Sequence, residues 1–500
     1  MPHSTRGAPL ADALRALGGV VLLIALAVAP LNYGSTRPVP FETLIALTLA
    51  GGCSWFLSTV VRREFPLPPW PARIGILLVV FVALAWLLAF TPPEVPAFTR
   101  SHFARIQARW PHSVVPRDFS SLLLWALAAL IAFVALWDLA RQRAWRTAIA
   151  GVILWTAVTV GLLGLLQNAT RARGIYWDTE HRLPGAFFGP FFHHTSAGAY
   201  LNTAWPLGLA LALAAIRRNG GEARTRLTIA ACLIGAALIL AAHGGHVSRL
   251  PQVIALAALV VFALWAGVWR VLGEVRGLRI ALGAVALIVG VIVVAGGAGR
   301  IKDIRARWSL LSWEGLRGDA SRVANVPPER DWRRLMRDDL FVPSDHSAYP
   351  LGDRGAMYAA AIGAIRERPW FGWGPGGWTA AAARHSSDPF VRTFFLIVQF
   401  THEDYLQTWV EWGLIGAAGW LLLVPGGGFH ALRRLGRQPA TDFIGAGATV
   451  ALGAVLTQSL IDFPQQIPAI QYNVIALAAL AWSAGASELP ARKRSSSPSS

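Results

Sequence analysis

The chain has 500 residues, of which 54% are hydrophobic and 14% charged, with a mean hydropathy of +0.47 and a formal charge of +18. Soluble domains carry about 25% charged residues, and apolar runs of about 18 residues or more recur here from end to end. That excludes an ordinary soluble enzyme and points to an all-α integral membrane protein. The charge is nearly all arginine (the lysines are Lys302 and Lys493), and no soluble basic domain carries it, so no nucleic acid is expected as a partner.

In chain order, the apolar runs predict spans over about 14–30, 41–61, 74–91, 120–139, 147–167 and 197–216. They continue over about 227–242, 250–269, 278–298, 405–424, 443–461 and 467–484. The first has a basic flank and an Ala27-Val28-Ala29 box that resembles a cleavage site, but Pro30 follows at once and the run is long enough to span, so it reads as a retained helix. Cys53 and Cys232 lie singly inside apolar runs and read as packing residues. Every second gap is rich in arginine: Arg62/Arg63/Arg73, Arg141/Arg143/Arg146, Arg217/Arg218/Arg224/Arg226, Arg270/Arg276/Arg279 and Arg433/Arg434/Arg437. By the positive-inside rule these gaps are cytoplasmic, which gives about 12 transmembrane helices with both termini inside.

The organisation follows: 1–298 holds helices one to nine, 299–404 a large helical extracytoplasmic loop or cap between helices nine and ten, 405–485 helices ten to twelve, and 486–500 a disordered Ser-rich cytoplasmic tail.

Three outward features can carry chemistry. In "AHGGHVSRLP" a short turn pins Arg249 at the membrane surface, where a guanidinium can grip a phosphate bidentately or snorkel to lipid headgroups. His243 and His246 beside it lack the carboxylate or cysteine that a metal site would need. In "GDRGAMYAAAIGAIRERPWFGWGPGGW" the spacing predicts an amphipathic helix from Arg354 to Arg368, ended by Pro369, with Met357, Ala361, Ile362 and Ile365 inward. Arg354 in its first turn opposes the helix dipole, so an anion, Asp353 or a ligand, should compensate it. Trp370, Trp373 and Trp378 are expected as interfacial anchors. In "QFTHEDYLQTWVEWGLIG", Thr401 to Asp404 fits a capping box that would start the tenth helix at His402. A neutral imidazole there suits a general base, and it equally suits a capping interfacial histidine. Glu411, half a helical turn out of phase with His402, is expected to anchor a neighbouring helix or an arginine. Gly413 and Gly416 suit close helix packing.

These segments together resemble the bacterial O-antigen ligase and polymerase superfamily. "THEDYLQTWVEWGLIG" is similar to its H-N-x-Y-L-Q…E-x-G-x-x-G motif, "ERPWFGWGPGGW" to its P-x-x-G-x-G segment, and Ser248-Arg249 to its S-R motif. "GPFFHHTSAGAYLNTAWPLGLALAL" resembles its F-x-N-x-N-x-x-A-x-Y-L segment, so that the resemblance covers about residues 185–416. Glu403 stands where the family has Asn, and His193-His194 where asparagine is common.

The resemblance implies a metal-independent glycosyltransferase without cofactor, facing outward in the bacterial cytoplasmic membrane. Its donor would be a glycan on undecaprenyl diphosphate, and its acceptor a glycan, glycolipid or protein hydroxyl. Arg249, Arg354 and His402 match the family's essential residues, and Glu403, Tyr405 and His194 join Arg249 and Arg354 as expected substrate-binding residues. A repeat-unit polymerase of the same superfamily is the alternative. A transporter or flippase for the same lipid would show internal repeats or charges along a midplane path, whereas the charges here gather at one face. A scaffold without catalysis would need none of these motifs. A dolichol-type enzyme with a bound metal would place acids in the first outer loop, which offers Glu42 alone.

Overall fold

The computed structural model describes residues 8–88, 119–178, 187–219, 222–246, 248–265, 353–385, 400–435 and 442–485. Over these it is helical, with one isolated bridge between Phe188 and Phe191.

The helices are α1 (Ala8–Leu31), α2 (Pro38–Arg62), α3 (Trp70–Leu88), α4 (Phe119–Ala140), α5 (Arg143–Ala169), α6 (His194–Asn202) and α7 (Trp205–Asn219). They continue with α8 (Ala223–Gly245), α9 (Arg249–Trp265), α10 (Asp353–Glu367), α11 (Trp378–His385), α12 (Asp404–Leu435), α13 (Phe443–Gln458) and α14 (Pro468–Trp482).

Eight segments are long and apolar enough to cross a bilayer, α6 and α7 forming one of them, and α9, α13 and α14 are shorter apolar helices. This is a multi-pass membrane protein. The expected span at 278–298, most of the large loop and the tail lie outside the described residues, so twelve spans remain an expectation. At 16 and 15 residues, α13 and α14 would reach only about 24 Å. Their burial explains why that suffices: nearly every side chain of α14 from Tyr472 to Trp482 is buried, so these helices face protein rather than lipid. Leu57, Leu77, Phe81, Leu84 and Leu264, exposed on the outer helices, supply the apolar perimeter.

Alternating chain direction sorts the helix ends into two rims. One collects the ends of α1, α5, α8 and α13 and the starts of α2, α6, α9, α12 and α14. The opposite rim collects most of the arginines of the described spans, several of them paired. Arg15 bonds Asp138, which also accepts from Trp55 Nε1 at 3.0 Å. Arg146 pairs with Asp442, and the Asp442 Oδ1 accepts from Gly445 N at 2.9 Å, capping α13. Asp138 and Asp442 therefore tie helices far apart in sequence.

Two expectations are corrected on α10 and its loop. Ile362 is largely exposed, and Ala360 and Ala364 take the inward positions with Met357 and Ala361. Trp373 and Trp378 are not interfacial anchors. Both are buried, with Trp373 Nε1 donating to the Ala364 carbonyl at 3.0 Å, and Trp370 alone of the three is exposed.

Candidate functional site

The candidate residues lie along the first rim. Helix α12 begins at Asp404, not at His402, and the cap is Glu403 rather than Thr401. The Glu403 carboxylate accepts the backbone N–H of Tyr405 at 3.1 Å and of Leu406 at 2.5 Å. Burial pushes the Glu403 carboxyl up, and these two N–H groups pull the other way. Asp404, read from the sequence as the far half of a capping box, instead faces the turn between α13 and α14. It accepts from Gln465 N and Gln466 Nε2, each at 3.0 Å, while its own N–H donates to the Ser459 carbonyl at 3.0 Å. The pattern T-x-x-D could not show that Glu403 would take the cap or that a distant turn would claim Asp404.

His402 is left in a left-handed conformation, φ 58°, which a non-glycine residue holds only when its surroundings impose it. Thr401 imposes it. Its N–H donates to Gln407 Oε1 at 2.8 Å, and its hydroxyl both donates to the Glu403 carbonyl at 2.5 Å and accepts the Glu403 N–H at 3.1 Å. The imidazole stands edge-on to Phe463 with centroids 4.6 Å apart. The Tyr358 hydroxyl lies 3.5 Å from the His402 carbonyl, so α10, the helix whose first turn holds Arg354, rests on this turn. Of Arg354 only the backbone is described. Tyr405 donates to the Leu456 carbonyl at 3.0 Å.

Across the rim, Arg249 opens α9, half-buried, after the buried Ser248. His246 and His243 are both buried and joined through His243 Nδ1 and His246 Nε2 at 2.8 Å. Burial and then His194 push the His246 imidazole down to about 3, so it is neutral. His194 is thus near the Ser248–Arg249 turn, and Gln458 at the end of α13 donates to the neighbouring Thr195 carbonyl at 3.3 Å. The start of α12, through Asp404, and the start of α6, through Thr195, are therefore both tied to the end of α13, at Ser459 and Gln458. Among the described residues no cluster of three metal-ligating side chains forms.

The largest surprise lies deeper. Gly413 breaks α12 with φ 65° and ψ −179°, and the loop after α10 fills the break. Leu414 N donates to the Pro369 carbonyl at 2.8 Å and Ile415 N to the Trp370 carbonyl at 3.3 Å. In return Trp373 N and Gly374 N donate to the carbonyls of Val410 (2.8 Å) and Glu411 (2.9 Å). No Cβ fits at Gly372 or Gly413 without meeting the other segment's backbone within 2.6 Å. A break within a span is tolerated when protein satisfies the freed backbone groups, and here the two glycine motifs satisfy each other. Glu411 anchors this loop and the start of the neighbouring helix α11, as one of the two sequence expectations had it, and not an arginine: it accepts from Gln407 Nε2 at 3.0 Å and from the backbone of Gly376 and of Trp378, the first residue of α11. Gly413 therefore permits close packing, as expected, but against the loop after α10 rather than against another helix. Sequence spacing carried no signal for the break, because the compensating groups lie some forty residues away.

Between α3, α4, α12 and α14 lies a cavity of about 130 Å³. Its walls include Leu130, Phe133, Trp420 and Val474, with Glu411, Gln465 and Gln466 as polar lining.

Residues 230–421 match the family model described as O-antigen ligase. The match covers Arg249, Arg354, His402, Glu403 and Tyr405, and stops short of His194. No curated protein matches the chain.

Proposed function

With the O-antigen ligase segment at 230–421 as its premise, we propose that the protein transfers a glycan from undecaprenyl diphosphate to an acceptor hydroxyl at the outer face of the bacterial cytoplasmic membrane. The observation that carries this reading is the convergence on one rim of His402, held at φ 58° by its turn, with the helix that begins at Asp353 and carries Arg354 in its first turn resting on that turn.

His402 orients the acceptor hydroxyl and takes its proton as the oxygen attacks the anomeric carbon. The bond from that carbon to the diphosphate breaks, and the electron pair leaves on a diphosphate oxygen. Arg249 and Arg354 bind that leaving group and stabilise its growing charge, a role that needs no metal. Glu403 and Tyr405 hold the start of α12, and His194 stands beside the Ser248–Arg249 turn, on the side of the leaving diphosphate.

Deletion of the gene, followed by analysis of lipid-linked and surface glycans, tests the reading. Accumulated donor carrying finished glycan, with surface glycan missing, is expected; unchanged surface glycan overturns it. In complemented cells, His402→Ala, Arg249→Lys and Arg354→Lys at normal abundance should each abolish most transfer, because a lysine lacks the planar two-pronged donor. Transfer should survive a strong chelator.

A further inference from the structure

The same rim carries a cation that the transfer chemistry above does not use. Between α1 and α2 the chain turns through Tyr33, Gly34 and Ser35, all at positive φ (55°, 63° and 57°). A Cβ on Gly34 would meet the Phe191 ring at 3.0 Å and Ile467 at 3.4 Å. The turn is therefore pressed against the segment before α6 and the start of α14.

The result is an aromatic seat for Arg37, the residue before α2. Its guanidinium carbon lies 3.9 Å from the Tyr33 ring centroid and 5.2 Å from that of Phe192, and the two rings are stacked 5.9 Å apart. Tyr176 stands edge-on to Tyr33 at 5.4 Å and donates its hydroxyl to the Leu31 carbonyl, which fixes the third wall. Among the described residues no carboxylate pairs with Arg37, and its buried Nε has no hydrogen-bond partner.

Ring faces attract the plane of a guanidinium but leave its in-plane N–H donors unused. An arginine stacked in this way presents an edge that matches two oxygens of a phosphate. Its position sharpens the demand: a cation at a helix N-terminus is unfavourable unless an anion offsets it, and the first turn of α2 contains no acid. The seat adjoins the transfer site, because Phe192 leads directly into His193 and His194, stacked at 4.7 Å, and His194 is close enough to bias His246, two residues before Ser248.

We propose that Arg37, seated on Tyr33 and Phe192, binds a phosphate ester at the rim of the site, carried by a saccharide substrate or by a lipid headgroup. That this phosphate belongs to a substrate of glycan transfer rests on the function proposed above; the binding itself does not.

The test is equilibrium binding of glucose 1-phosphate, with glucose as control, to the full chain in phosphatidylcholine nanodiscs. The double variant Arg249→Ala/Arg354→Ala is used as the background, so that the diphosphate site does not contribute. Saturable binding of glucose 1-phosphate but not glucose is expected. It should weaken at least about ten-fold on adding Arg37→Ala, and also with Arg37→Lys, which keeps the charge and loses the fork. If nanodiscs containing phosphatidylglycerol block the site and Arg37→Ala abolishes that lipid effect, the phosphate comes from a headgroup; if they leave binding unchanged, it comes from a saccharide. Binding equal with and without Arg37, in protein of unchanged melting temperature, overturns the proposal. An unchanged surface glycan on gene deletion would sink the transfer reading and leave this result standing.

Discussion

Gly413 holds a combination of φ and ψ that is in practice open to glycine alone, and a Cβ there would stand 2.2 Å from the Trp370 carbonyl oxygen. Gly413→Ala should therefore cost about 3 kcal/mol or more, read as a lower melting temperature or a loss of folded protein from the membrane. Gly453→Ala is the control, since a Cβ there meets nothing within 4 Å and alanine favours the helix; equal loss in both would remove the special role of Gly413. His246 gives a second prediction at this scale. Its imidazole is held down to about 3 by burial and by His194, so the unfolded chain takes up a proton first as pH falls. Stability contributed by the neutral ring is complete above the unfolded value of about 6.5 and is lost progressively as pH falls below it. The melting temperature should drop between pH 7.5 and 5, and drop less in His246→Gln. His402 was legible in the sequence as a polar group at a helix mouth, but not its left-handed backbone, because that conformation is set by Thr401 and Gln407 closing the turn.

At the scale of elements, the start of α12 is held by a division of labour between adjacent acids. Glu403 caps the helix, and Asp404 clasps the α13–α14 turn that carries Phe463 against His402. Asp404→Ala strands the Gln465 N–H and the Gln466 amide and should cost about 1–3 kcal/mol. It should also lower glycan transfer per folded molecule by loosening Phe463 from His402. Asp404→Asn, which retains acceptor capacity through one oxygen, should fall between the two. Transfer per folded molecule unchanged in Asp404→Ala would mean that the clasp serves folding alone. The helix α10 was legible from its spacing and its terminal Pro369, yet Ile362 faces outward while Ala360 and Ala364 face in. Small residues win the inner face because α11 and Trp373 pack close against it.

For the whole molecule, the gathering of arginines on one rim and of the site on the other makes sidedness testable. Reporter fusions at Arg143, Gly221 and Arg434 should read cytoplasmic, and one near Asp178 external; an external signal at Gly221 would invert the arrangement. The paired Asp138 links α1, α2 and α4 from within the bundle. Asp138→Ala, which leaves Arg15 buried and uncompensated, should cost about 3–5 kcal/mol and reduce the amount of folded protein, whereas the more exposed Asp12→Ala, facing Arg62, should change it little.

The sequence by itself determined that this chain is a helical membrane protein, where most of its spans lie, and which motifs carry the O-antigen ligase resemblance. Apolar runs and arginine counts are local properties that the bilayer reads directly. Tertiary structure alone decided that α13 and α14 are interior helices, that α12 is broken at Gly413, and that Asp404 serves a distant turn rather than its own helix. Each of these depends on which remote backbone group meets a given side chain or amide, and at membrane depth lipid offers a freed backbone group no partner, so the fold must supply one.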